Sequence, residues 1–82
     1  MQTGDLTMNT AIEKKVGENI RTLRERTGFT QEVLSAKLQV EGCDITRSAL
    51  AKIEVGQRHI YPDELIALKK VLDVSFEDLL EV

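Results

Sequence analysis

His59 is the single histidine and Cys43 the single thiol in a chain of 82 residues. A nucleophile needs a base within hydrogen-bond reach, and a whole predicted helix separates these two, so only the fold could pair them. No His-x-x-x-His, Cys-x-x-Cys, Gly-x-Ser-x-Gly or glycine-rich phosphate loop occurs. The 14 carboxylates alternate with 11 Lys and Arg along what read as helix surfaces, the pattern of a solvated face rather than of an acid and base pair. The chain is therefore not expected to be an enzyme or to hold a metal, a cofactor or a small-molecule substrate. One cysteine permits no intramolecular disulfide and fits a reducing compartment. A redox role for Cys43 is disfavoured because residues 39–46 contain no Lys, Arg or His to lower a thiol pKa, although Arg47 follows closely.

The side chains best suited to recognition lie together at Arg47, Ser48 and Lys52. Arg and Lys can reach guanine O6 and N7 from the major groove, and Ser can meet several acceptors. Ala49 and Ala51 keep the surface between them low, so a helix backbone there can approach a groove closely and touch thymine methyl groups. Small residues can equally reflect close packing between helices.

These residues need elements to hold them. Ile12, Val16, Ile20 and Leu23 draw one apolar stripe on a helix from about Thr10 to Arg26, with Arg21, Arg24 and Arg26 near its C-terminal end and Gly28 as its stop. Residues 1–9 show no such period and are expected to form a flexible tail; residues 10–82 form the domain. Thr30 offers an N-cap for a second helix through Val33, Leu34 and Leu38, without the Glu that a full capping box requires. Residues 39–44 lose the helical period and contain Gly42, so they either add a turn to that helix or form a bulged connection. Thr46 caps a third helix, with Ala49, Leu50 and Ile53 inward and Gly56 at its end. Pro62 opens a fourth helix striped by Leu65, Leu68 and Leu72. Ser75 and Asp78 start a fifth, across which Val74 can staple onto Leu79. No alternating strand pattern competes, and the fold class is all-α with five helices.

The second and third helices have the outline of a helix-turn-helix. The pieces Leu23-Arg24, Gly28-Phe29-Thr30-Gln31 and Lys52-Ile53-Glu54-x-Gly56 together resemble the phage-repressor, Cro and Xre family, and the similarity covers nearly all of residues 12–80. It implies a five-helix, lambda-repressor-like domain that binds double-stranded DNA as a transcriptional regulator, expected to be a repressor. It further implies base reading by Arg47, Ser48 and Lys52, with phosphate contacts at Thr30, Gln31, Thr46 and Arg58. Gln31 would also brace the recognition helix, and Arg24 and Glu54 would form a structural ion pair. The connection over residues 39–45 departs from the tight turn usual in the family. A bacterial or phage-encoded, cytoplasmic and nucleoid-associated protein is implied, and no membrane partner is expected.

The formal charge of −3 argues against DNA until it is resolved along the chain. Residues 1–60 carry nine basic and eight acidic groups, whereas residues 61–82 carry two and six. The acidity thus sits away from the third helix. A homodimer on paired half-sites is expected, and the surplus apolar residues from Leu72 to Val82 either form its contact through the C-terminal helices or, as is more common in small domains, simply close the core. The alternative, from a different class, is a protein-interaction module, antitoxin-like or an adaptor, acting through its acidic C-terminal helices.

Overall fold

The computed structural model describes the backbone of residues 3–82 and the side chains of residues 11–82. Its helices are α1 (Thr3–Thr27), α2 (Gln31–Val40), α3 (Arg47–Glu54), α4 (Pro62–Leu72) and α5 (Phe76–Leu80), with no strand among the described residues. α1 starts ahead of Thr10, where the apolar stripe places its start. The helical backbone needs no stripe to continue, so apolar period locates the packed part of a helix and not its limit. Met1 and Gln2, the first residues of the segment read as a tail, lie outside the described residues.

Hydroxyl caps start three of the helices. Thr30 Oγ1 accepts from the Val33 N–H and Thr46 Oγ1 from the Ala49 N–H, each at 3.1 Å. Ser75 Oγ accepts from the Asp78 N–H at 3.0 Å, while Asp78 reaches back to the Ser75 N–H at 3.3 Å, a closed capping box. Pro62 stands at the start of α4, and Glu64 accepts from the Tyr61 N–H at 3.0 Å.

Three of the helix stops share one geometry as well. At the end of α2, the Cys43 N–H donates to the Leu38 carbonyl at 2.9 Å and the Gly42 N–H to that of Gln39 at 3.0 Å, a Schellman motif turned by Gly42 at φ 86°. Equivalent pairs of bonds close α1 at Gly28 and α3 at Gly56. α4 ends on Asp73 at φ 56°, the one described residue other than glycine with positive φ.

All five helices and the connection contribute to one core. Val16, Ile20 and Leu23 from α1 meet Leu34 and Leu38, Leu50 and Ile53, then Ala67, Leu68 and Leu72, with Leu79 closing one end. Each fully buried Leu or Ile contributes about 1.5–3 kcal/mol relative to exposure. Val74 joins the same cluster as Leu79. α1 and α3 cross at Gly17, which is buried; a Cβ there would overlap the Ile53 carbonyl oxygen.

The long connection between α2 and α3 resolves into an extra length of helix and an anchored turn. Gln39 and Val40 stay helical, contrary to their loss of apolar period. After Gly42, Ile45 is fully buried as a plug. Its carbonyl accepts from the buried Ser35 hydroxyl at 2.7 Å, and Lys70 of α4 pairs with Glu41 at 2.8 Å. These ties fix where Thr46 begins the next helix.

Candidate nucleic-acid interface

α3 is divided sharply between its two sides. Leu50 and Ile53 are wholly buried, and Glu54 is buried beside them. Arg47, Ser48 and Lys52 are exposed, with Ala49 and Ala51 half-buried. Eight residues of helix span about 12 Å, enough to lay these three side chains along one groove. Among the described residues no ion pair engages Arg47 or Lys52. Both cations are therefore available to an external anion or base edge.

The start of α2 lies beside this face. Thr30 is exposed, and the first N–H groups of a helix are left for external acceptors, which favours an anion there. Gln31 follows, half-buried, and its Nε2 donates to Glu54 Oε1 at 2.9 Å. The same carboxylate receives Arg24 from α1, Nε to Oε2 at 2.7 Å and Nη2 to Oε1 at 3.0 Å, while Arg24 Nη1 donates to the Phe29 carbonyl at 2.9 Å. The Glu54 side chain is 1% exposed. Its charge is matched by a two-pronged guanidinium and a third donor, so it can be buried without an orphaned oxygen. The Glu54 hydrogen bond raises the Arg24 pKa above its ordinary value, outweighing burial. One carboxylate thereby fixes α1, α2 and α3 in mutual orientation.

The loop after α3 is held by its own arginine. Arg58 does not stand free: it forms a bidentate pair with Glu64, both bonds at 2.9 Å, and donates to the His59 carbonyl at 2.8 Å. Arg58 is the first cause of a Glu64 carboxyl held below its ordinary value, against the opposing effect of burial. Cys43 is half-buried, and desolvation followed by the nearby Glu64 and Asp63 charges pushes its thiol pKa up. A raised thiol pKa disfavours a reactive thiolate.

Residue type alone does not isolate Glu13, Ser35 or Glu64. Each is an ordinary polar residue on a helix until the fold gives it a distant partner. Glu64 had one local signal, its place two residues after a helix-opening proline. No group of three or more His, Cys, Asp or Glu able to hold a metal occurs among the described residues, and no helix there is long and apolar enough to cross a membrane.

Residues 20–79, which contain the capped pair α2 and α3 and the Arg24–Glu54 tie, match the helix-turn-helix family. The chain belongs to that family, of the Xre/Cro-like kind. This helix-turn-helix protein is thus a DNA-binding transcription regulator. It is also similar to the restriction-modification controller protein C.AhdI from Aeromonas hydrophila, whose crystal structure gives a TM-score of 0.75 at 28% identity. The similarity covers 85% of this chain and 94% of that one. Among curated proteins no match was found.

Proposed function

We propose that the protein is a sequence-specific repressor that reads the major groove of double-stranded DNA with α3. The observation that carries this reading is the outward face of α3, where Arg47, Ser48 and Lys52 stand exposed around two alanines while the opposite face is buried. Arg47 and Lys52 read guanine edges, and Ser48 meets an adjacent base. Thr30, Gln31 and Thr46 meet phosphates through the N-terminal turns of α2 and α3. Arg58, drawn against Glu64, shapes the following loop and meets a phosphate through the donors its pair leaves over. The protein acts by binding and not by catalysis, in the cytoplasm with the nucleoid.

A single domain of this size reads few base pairs, so the functional form is a homodimer on paired half-sites. Phe76, Leu80 and Val82 support this, being 40%, 43% and 74% exposed at the C-terminal end, where Phe76 and Leu80 line a groove with Glu77, Asp78 and Glu81. Selection of bound DNA from a random pool, followed by sequencing, tests both parts. A two-fold symmetric motif is expected. Recovery of no enriched sequence at low salt would overturn the reading, and a single unpaired half-site would overturn the dimer.

A further inference from the structure

The loop joining α3 to α4 is gripped from both flanks by carboxylates that sit beside a surface meant for a polyanion. From α1, Glu13 Oε1 hydrogen-bonds His59 Nδ1 at 2.7 Å, and its Oε2 accepts from the Ile60 N–H at 3.4 Å. From α4, Glu64 takes both Arg58 prongs and the Tyr61 N–H. Within the loop, the Gly56 and Gln57 N–H groups already cap α3 through the Ile53 and Lys52 carbonyls. Every residue from Gly56 to Tyr61 is therefore tied to a helix, and the exposed Gln57 is left at the tip. Gly56 itself lies against Lys14, one residue along α1 from Glu13, so the loop follows the α1 surface closely.

We infer that Glu13 is a positioning residue for DNA binding: with Glu64 opposite, it holds the loop of residues 56–61 in the shape that meets the DNA backbone. This rests on the DNA-reading face proposed above. A carboxylate near DNA repels phosphate, and its removal by itself strengthens binding. Glu13 weakens the Coulombic attraction and supplies order in exchange, so its two effects on affinity have opposite signs and can be separated.

Glu13→Gln and Glu13→Ala remove the same charge, but only Gln keeps an oxygen to accept from the Ile60 N–H, with its amide NH2 turned to donate to His59 Nδ1 in the neutral tautomer that leaves Nδ1 an acceptor. Glu13 lies on the α1 surface and alanine suits a helix, so both variants are expected to fold, as checked by circular dichroism and thermal melting. DNA affinity is measured on a duplex selected by the unaltered protein. Glu13→Ala should bind about fivefold more weakly than Glu13→Gln, the equivalent of one lost hydrogen bond, with base preferences unchanged. Without DNA, amide hydrogen exchange at Gln57, Arg58 and Ile60 should quicken in Glu13→Ala and not in Glu13→Gln. Equal affinities of the two variants, or unaltered loop exchange in Glu13→Ala, would overturn the positioning role while leaving the DNA-reading face intact. Absence of DNA binding by the unaltered protein would overturn both, and is seen before any variant is made.

Discussion

Replacing Gly17 with alanine sets two physical effects against each other, and the structure decides their balance. In the interior of an exposed helix the substitution stabilises by about 1 kcal/mol, because alanine loses less backbone entropy on folding. Here the new methyl would overlap the Ile53 carbonyl oxygen and lie 3.1 Å from the Ile53 carbonyl carbon and 3.2 Å from that of Glu54. The obstruction is helix backbone, which cannot rotate away as a side chain can. α1 would have to withdraw from α3 by about 1 Å to restore ordinary contact distances. That withdrawal loosens Val16 and Ile20 against Leu50 and Ile53, and it pulls on the Arg24–Glu54 pair. Overpacking costs of about 1–3 kcal/mol are usual, and a rigid obstacle places this case at the upper end. The net expectation is a loss of about 2 kcal/mol, or a fall in Tm of roughly 10 °C for a domain this small. Thermal and urea unfolding followed by circular dichroism measure it, with Glu18→Ala on the exposed side of α1 as the reference. A Tm equal to or above that of the unaltered protein would refute the close crossing of α1 and α3.

Arg24→Ala leaves Glu54 buried without its ion pair and should cost about 3–5 kcal/mol in urea unfolding, whereas the double change Arg24→Met with Glu54→Leu should recover most of that loss. Glu64 has a folded pKa depressed below its ordinary value of 4.5, so its pair with Arg58 contributes fully above that value and is lost as pH falls through the lower, folded one. Glu64→Gln should accordingly flatten the decline of Tm as the pH falls below 4.5. Arg47→Ala should reduce discrimination at one base position by about 1–3 kcal/mol in competition binding, with the other positions unaffected. Asp73→Asn keeps a residue tolerant of the left-handed conformation while removing an anion from the C-terminal end of α4; Tm should rise, by the equivalent of about 0.3–1 kcal/mol.

Features written within a single turn of chain were legible in the sequence. Thr30, Thr46 and Ser75 announce helix starts because the capping bond spans three residues, and Gly28 and Gly56 announce stops for the same local reason. Buried faces followed from period where helices are amphipathic, as with Val16, Ile20 and Leu23. Gly17 was invisible because nothing nearby in sequence reveals which helix crosses it. The partners of Arg58 and His59 were hidden too, since a loop cation facing solvent and one facing Glu64 have the same local sequence. Residues 39 and 40 left extra helix and a bulge as open alternatives, because Val40 is 85% exposed and so breaks the apolar pattern while remaining helical.

The separation of the two sides of α3 has a consequence for engineering. Everything that sets the pose of this helix lies inward or at its ends: Leu50, Ile53, the Thr46 cap, the Gly56 stop and the Glu54 hub. Nothing described on the outward side is needed to hold it. Arg47, Ser48 and Lys52 therefore form a replaceable cassette, and a library randomised at these three positions should retain the scaffold's stability while sampling new operators. The same separation makes drift in specificity easy: a change of target needs only surface substitutions, each of them nearly neutral to folding.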